Sequence, residues 1–209
     1  MGSNKFNRKK IESAVKLKTG WMKVFKNSDK YNFKYLYEGE LLKGRANGFG
    51  VLLRIYEDDN IFKEYIGNWV NGKKQGFGGL WFTDGGYYEG NFCQGKRHGF
   101  GRMWCHDGKF YQGTWLNGFY HGTGMLIQAN GNRYEGEFIQ GKKHGNGIFY
   151  HFITGQMQEG NWTNDICKNG IITDMNYRDN SPKPTIYLIP KLGKYISQDN
   201  YNNNLTNPD

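Results

Sequence analysis

Alternating apolar and polar positions recur along most of the chain and indicate β-strands. The segment Tyr88–Cys93 alternates in this way, with the period of two that places every second side chain on one face of a strand. A second run follows from about Gly99 to Cys105, after the polar turn QGKRH, and ends at Asp107-Gly108. Asp-Gly and Asn-Gly pairs favour tight type I′ turns. The pattern therefore predicts hairpins that turn at this slot, which also holds Asp84-Gly85 and Asn130-Gly131.

The hairpin pattern repeats with a period of 23 residues. Each unit reads Tyr-x-Gly-x-(Trp/Phe)-x-x-Gly-x-x-x-Gly-x-Gly, with Leu41 in place of the aromatic residue in the first unit. The first step is 28 residues instead of 23 because the segment 57–60 makes one loop longer. Such a period is the signature of a repeat architecture, in which each unit packs on its neighbours. Five clear units begin at Tyr37, Tyr65, Tyr88, Tyr111 and Tyr134, and a degenerate sixth begins at Gln158.

The composition suggests how these strands pack. Glycine contributes 31 residues and aromatic residues 17%, although only 37% of the chain is hydrophobic; the glycine share is about twice the usual one. Glycine weakens a strand unless something covers its bare backbone. A Tyr or Trp ring from an adjacent strand can lie flat over a glycine and bury ring area there. We therefore expect rings to lie over the Gly-x-Gly segments of neighbouring strands.

Two apolar columns follow each Gly-x-Gly at adjacent positions. Because adjacent residues of a strand face opposite sides, both faces of the sheet should carry apolar rows. A small single sheet cannot bury both faces by itself, so we expect the chain's own termini or a partner to cover one of them. The two columns are Leu52, Leu80, Met103, Leu126 and Phe149, and Leu53, Trp81, Trp104, Ile127 and Tyr150.

The repeated phrase resembles the MORN repeat, the membrane occupation and recognition nexus motif, over roughly 37–170. The resemblance implies an all-β fold: an elongated, twisted antiparallel sheet of tandem MORN β-hairpins whose grooved face holds partners. We divide the chain into a basic N-terminal arm (1–34), the repeat sheet (35–175) and a Pro-containing extended segment with an Asn-rich tail (176–209). The two arms are expected to be extended or disordered.

The positive charge is concentrated in the N-terminal arm. The chain has a formal net charge of +9, but residues 1–34 hold ten Lys or Arg against two acidic residues, whereas residues 35–209 hold eighteen against seventeen. The body is nearly neutral, so the total charge does not by itself indicate a nucleic-acid partner. We expect no specific binding of nucleic acid.

Two sets of repeated residues are candidate partner-binding sites. Repeated aromatic residues would line a groove for a partner's helix or strand: Tyr65, Trp69, Tyr88, Phe92, Tyr111, Trp115, Tyr134 and Phe138. Basic residues share one turn position and should form a stepped basic row that could meet acidic phospholipids or an acidic protein surface such as tubulin: Arg45, Lys73, Lys74, Lys96, Arg97, Lys142 and Lys143. Phe119 and Tyr120 interrupt this row, and an aromatic pair there could also anchor a partner.

The repeat argues against catalytic and metal chemistry. His98, His121 and His144 hold one repeat position, so neighbours should lie about 10 Å apart, too far to share a zinc ion. The cysteines, Cys93, Cys105 and Cys167, lack metal-ligand spacing and are expected to be reduced, packed thiols. No Ser/His/Asp or Cys/His constellation stands out. We expect no enzymatic activity, no catalytic residue, no metal and no cofactor.

The resemblance implies a non-enzymatic scaffold. Proteins of this repeat family are associated with cilia, flagella and other cytoskeletal or sperm structures, so the expected role is protein–protein assembly in an axonemal or related complex. Two alternatives stay open: a peripheral membrane tether that binds acidic phospholipids through the basic turns, and an adaptor that tethers regulatory enzymes. The chain shows no apolar run of membrane-spanning length and no apolar signal segment after Met1, and an intracellular location is expected.

Overall fold

The computed structural model describes residues 33–57 and 60–175, together with the backbone of residues 22–27. All regular elements in these residues are β-strands. The strands are β1 (Met22–Asn27), β2 (Phe33–Leu42), β3 (Arg45–Tyr56), β4 (Ile61–Val70), β5 (Lys73–Trp81), β6 (Tyr87–Cys93), β7 (Lys96–Trp104), β8 (Phe110–Leu116), β9 (Phe119–Ile127), β10 (Arg133–Ile139), β11 (Lys142–His151), β12 (Gln156–Thr163) and β13 (Ile166–Asp174).

The strands form one antiparallel sheet whose order is the order of the chain. At about 4.8 Å per strand, thirteen strands span roughly 60 Å. The predicted all-β, elongated and twisted sheet of tandem hairpins is confirmed. Most of the predicted arms lie outside the described residues. The exception is β1, which pairs with β2 from Met22 opposite Gly39 to Asn27 opposite Lys34, so the sheet begins inside the segment assigned to the N-terminal arm.

The tight type I′ turns lie within the repeats, and the sequence-based placement was wrong on this point. Gln94 and Gly95 connect β6 and β7 with φ values of 51° and 84°, and Asn71 and Gly72 connect β4 and β5 with φ values of 50° and 77°. Two consecutive positive φ values define a type I′ turn, whose twist matches that of the flanking strands. The second strand of the unit consequently begins at Lys96 and not near Gly99.

The pairs Asp84-Gly85, Asp107-Gly108 and Asn130-Gly131 lie in longer loops between the repeats. Between β5 and β6, the Gly85 N–H donates to the Phe82 carbonyl at 3.2 Å, and only Gly85 of the Asp84-Gly85 pair has a positive φ. The Asp84 carboxylate accepts a hydrogen bond from the Gly86 N–H at 2.9 Å. Asp84 therefore stabilises the loop through its side chain and not through a left-handed backbone conformation.

Each face of the sheet carries its own apolar cluster. One face buries the repeated Tyr, Trp and Phe rings, and the first predicted apolar column packs against them: Leu52, Leu80, Met103 and Leu126, with Phe149 buried in the cluster. The other face holds a smaller cluster around Leu36, Val51 and Leu53, and beyond it the rings of Trp81, Tyr87, Trp104 and Phe110 contact one another in sequence. The prediction of apolar rows on both faces is therefore confirmed.

Candidate functional site: the two faces of the hairpin sheet

A continuous chain of aromatic rings runs along one face of the sheet. Successive rings meet edge to face, with centroids 5.0–5.5 Å apart and interplanar angles of 76–90°. This is the preferred geometry for aromatic pairs, because the positive edge of one ring faces the negative face of the next. We call this set the aromatic ladder, and its members in spatial order are Tyr37, Trp69, Tyr65, Phe92, Tyr88, Trp115, Tyr111, Phe138, Tyr134 and Trp162.

The glycines of the repeat make room for the ladder tyrosines. A Cβ atom at Gly67 or Gly78 would lie 2.5 or 2.6 Å from the Tyr65 hydroxyl oxygen, closer than any side chain tolerates. The ring therefore covers one glycine on its own strand and one on the neighbouring strand. The Tyr65 hydroxyl then donates a hydrogen bond to the Asn68 carbonyl at 3.0 Å. The predicted packing of rings over glycines is confirmed, and the same arrangement recurs at Tyr88, Tyr111 and Tyr134.

Burial of the ladder is also visible in the acidity of its phenols. Desolvation raises the pKa of Tyr37 and of Tyr134 to about 12 and also raises the pKa of Tyr65, Tyr88 and Tyr111. A phenolate would lose its hydration on this face, so the neutral form is favoured. The ladder is consequently an uncharged, hydrogen-bonded interior at neutral pH.

The eight residues predicted to line a partner groove all belong to this ladder. Tyr65, Tyr88 and Tyr111 are fully buried, and the most exposed of the eight, Trp69, has 7% of its surface accessible. Side chains this buried hold the hairpins together and present almost no surface to another molecule. Direct contact between these rings and a partner stays a prediction, and in the arrangement described here the exposed residues around them would make the first contact.

The predicted basic row divides between the two faces of the sheet. Trp69 lies opposite Lys74, whereas Val70 lies opposite Lys73, and neighbours along a strand face opposite sides. The second basic residue of each turn therefore lies on the ladder face, and the first lies on the other face. Lys74, Arg97 and Lys143 are partly buried on the ladder face, while Arg45, Lys73, Lys96 and Lys142 are exposed on the opposite one. The expectation of a single row is corrected: strand alternation makes two.

The three cations on the ladder face pack over its rings. The Arg97 guanidinium lies 4.4 Å from the Trp115 ring centroid and donates to the Gly118 carbonyl at 2.9 Å. The Lys143 ammonium lies 4.7 Å from the Trp162 ring centroid, and that of Lys74 lies 5.3 Å from Tyr65. Burial lowers the pKa of Arg97, Lys143 and Lys74. These cation–π contacts stabilise the ladder and leave the cations little freedom to bind other molecules.

The aromatic pair that interrupts the basic row follows the same division. Tyr120 takes the place of a ladder-face cation and stacks on Tyr111, with centroids 3.8 Å apart and an interplanar angle of 14°. Phe119 lies on the opposite face with 56% of its surface exposed. Tyr120 is therefore part of the internal packing, and Phe119 is the member of the pair that a partner can reach.

The face opposite the ladder carries a row of exposed apolar and basic side chains beside the type I′ turns. Val70 pairs with Lys73, and Ile139 pairs with Lys142. Val70 and Ile139 are each 45% exposed. We call this set the turn row, and its members, in pairs across each turn, are Leu42 and Arg45, Val70 and Lys73, Cys93 and Lys96, Leu116 and Phe119, and Ile139 and Lys142.

Three more exposed rings lie on this face beside the turn row. Phe49, Phe77 and Phe100 are 41%, 59% and 52% exposed and occupy the same position in successive hairpins. Successive hairpins are two strands apart, so these rings repeat about every 10 Å. Sequence reasoning missed Phe49, Phe77, Phe100 and the apolar half of the turn row. The alternation of strand faces indicates these exposed residues, because a residue next to one that faces the ladder side lies on the opposite face of the sheet.

Within residues 33–57 and 60–175, no group of three or more His, Cys, Asp and Glu side chains is placed to hold a metal ion. In the same residues, no helix is long and apolar enough to cross a bilayer. The three cysteines are unpaired thiols of intermediate exposure.

The arrangement of tandem hairpins, ring-covered glycines and a repeated exposed face defines a class of β-repeat protein. The sequence profile described as the MORN repeat matches residues 37–54, 65–87, 88–110, 111–133 and 134–151, which together make just over half of the 209 residues. The chain therefore belongs to the MORN-repeat family. MORN repeats are non-enzymatic modules that bind proteins or membranes. No curated protein matches the chain.

Proposed function

We propose that this protein is a non-enzymatic scaffold that binds acidic protein partners through the turn row, within a ciliary, flagellar or related cytoskeletal assembly. The observation that supports it is the opposite face of the sheet, where exposed apolar side chains pair with Lys or Arg at the turns of Leu42, Val70 and Ile139. Apolar contacts there would provide affinity, and the cations would select partners of negative charge. Tubulin has an acidic surface of this kind.

The ciliary setting rests on resemblance. The stretch from Gly101 to Trp162 and the Pro-containing segment after Asn176 resemble MORN repeat-containing protein 3, and proteins of this family are associated with cilia, flagella and sperm structures. A cytoplasmic location at the axoneme follows from this proposal. An adaptor that tethers regulatory enzymes would use the same surface with different partners.

The test uses charge reversal on the full-length protein. The double variant Lys73→Glu/Lys96→Glu should lose retention on axonemes in a salt-washed pellet assay, because it replaces two turn-row cations by anions facing an acidic partner. The matched control is Lys109→Glu/Lys168→Glu, which makes the same charge change at exposed lysines outside the row. Equal loss in both variants, or no loss in either, would refute specific binding through the turn row.

A membrane tether is the second candidate, because apolar side chains flanked by lysines also suit an anionic lipid surface. Flotation with vesicles that contain phosphatidylserine separates the two candidates. The scaffold proposal expects the wild-type chain to remain with axonemes and not to float at physiological salt. Salt-sensitive flotation that disappears in Lys73→Glu/Lys96→Glu, together with absence from axonemes, would favour the tether and contradict the scaffold.

A further inference from the structure

A cavity of about 370 Å³ lies at the end of the sheet opposite the type I′ turns. It is formed where the repeat is irregular. The 28-residue first step lengthens β3 to 12 residues, compared with 9 in β5 and β7, so that Tyr56 and Phe62 extend past the neighbouring hairpins. The loop from Phe82 to Gly86 forms the other wall. The departure from the 23-residue period thus makes a concave site in an otherwise regular sheet.

Arg54 lines this cavity and has no counterpart in the other repeats. Counted from the Gly-x-Gly of each unit, its position holds Phe82, Cys105, Gln128 and His151 in the later units. Arg54 is only 3% exposed. A buried guanidinium is costly unless its N–H groups and its charge are matched, so a cation introduced at one repeat alone needs a specific compensating group.

The contacts of Arg54 leave this compensation incomplete. Its Nη1 lies 3.5 Å from the Tyr56 hydroxyl and its Nη2 lies 3.4 Å from the Trp81 carbonyl, both longer than an ordinary hydrogen bond. Its buried Nε has no hydrogen-bond partner and lies 3.7 Å from a Glu64 carboxylate oxygen. Lys74 also lies 4.0 Å from Glu64. Two cations therefore share one carboxylate, and the group retains a net positive charge.

We propose that this cavity binds a carboxylate carried on an apolar group, such as the side chain or the C-terminus of a partner peptide. A carboxylate accepts two parallel hydrogen bonds from a guanidinium fork, which would replace the long contacts of Nη1 and Nη2 and neutralise the excess charge. The rings of Tyr56, Phe62 and Phe82 supply apolar walls for the attached group. The volume lies at the small end of the range for ligand sites and suits one or two residues. This inference does not depend on the proposed assembly role.

The test follows the arginine Nε–H resonances of the full-length protein by NMR, with Arg54 assigned through the Arg54→Lys variant. Phenylacetate should shift the Arg54 resonance saturably, and the neutral phenylacetamide should bind at least roughly tenfold more weakly, because it lacks the charge-assisted hydrogen bonds. The Arg102 and Arg133 resonances serve as internal controls. No shift at Arg54, or equal shifts at all arginines, would overturn the proposal.

Two variants at equivalent loop positions keep the test specific to the cavity. Thr83 lines the cavity, and His106 is exposed at the same position in the next loop. Thr83→Trp should block the site and abolish the Arg54 shift, whereas His106→Trp should leave it unchanged. A shift retained in Thr83→Trp would place the bound phenylacetate elsewhere and contradict the proposal.

Three further probes define the chemistry of the bound group. Inorganic phosphate should compete weakly, and a larger Arg54 shift with phosphate than with phenylacetate would overturn the assignment to a carboxylate. N-acetylphenylalanine presents a C-terminal carboxylate, and the α-amide of N-acetylglutamic acid presents a side-chain carboxylate. Saturable binding of either one supports the proposal and identifies the source, and binding of neither one contradicts it.

Discussion

The two faces of the sheet use the same strands for different purposes. On the ladder face each repeated ring contacts the next, the Tyr hydroxyls and Trp indole N–H groups are hydrogen-bonded, and the cations lie over the rings. On the opposite face, beside the turns, apolar and basic side chains of the turn row are exposed. Since neighbours along one strand supply both faces, a single repeat pattern specifies the buried packing and the exposed surface together.

The largest difference in stability between the two faces is expected from substitutions of adjacent residues of β7 that face opposite sides. In Gly101→Val, the new Cβ would collide with the Tyr88 ring, and we expect a loss of roughly 3 kcal/mol or more in the free energy of unfolding. Phe100→Ala, one residue earlier and exposed, should cost below about 1 kcal/mol. Urea denaturation measures both. Similar losses for the two variants would contradict the assignment of the faces.

Alkaline unfolding tests the ladder as a buried set of phenols. The pKa of Tyr37 and of Tyr134 is about 12 in the folded state against 10.0 ordinarily, so these groups stabilise the fold fully below pH 10 and lose that contribution as the pH rises toward 12. Lys74 and Lys143, whose pKa is lowered, act in the opposite direction but are fewer than the five ladder tyrosines whose pKa is raised. We expect tyrosinate absorbance and loss of β-sheet circular dichroism to rise together above pH 10.

The control for the alkaline transition is Tyr111→Phe, which keeps the ring and removes one phenol of raised pKa. It should make stability less steeply dependent on pH above 10, although it also loses the hydrogen bond to the Thr114 carbonyl, worth about 1 kcal/mol at neutral pH. If the ladder tyrosines ionise before the sheet unfolds, these phenols are not buried as described.

A smaller effect distinguishes the two basic positions of one turn. Arg97→Met keeps an apolar stem but removes the cation over Trp115 and the hydrogen bond to the Gly118 carbonyl, so we expect a loss of about 1–2 kcal/mol. Lys96→Met, on the exposed face, should change stability by less than about 0.5 kcal/mol. Thermal and urea unfolding of the two variants give the comparison. The reverse order of the two effects would refute the division of the basic row.

The sequence predicted the fold well because a repeated local pattern leaves little to long-range packing. The 23-residue period and the alternation of the sequence predict the hairpin sheet and the packing of rings over glycines, and the structure confirms both. The type I′ turns were misplaced because strong dipeptide signals occur at both slots: Asp84-Gly85 lies between repeats, whereas Asn71-Gly72 and Asn117-Gly118 form the tight turns within them.

The site was less predictable, because residue type alone does not fix the face or the extent of burial. Lys73 and Lys74 are identical letters at adjacent positions, yet one is exposed and the other lies over the Tyr65 ring. The rings of a single repeat are typical of a groove lining, whereas in the sheet the rings of neighbouring repeats bury them. The repeat pattern does not predict the cavity at Arg54, because that cavity depends on the longer strand β3 and on a loop almost 30 residues further along the chain.

The order of the strands has a mechanical consequence. Since each hairpin pairs with the ones immediately before and after it along the chain, a force applied to the two ends of the chain would peel strands from the edges and open the backbone ladder a few hydrogen bonds at a time. Such a geometry yields at low force and can re-form unit by unit when the load is removed. A body of this kind could act as an extensible spacer between two anchored ends.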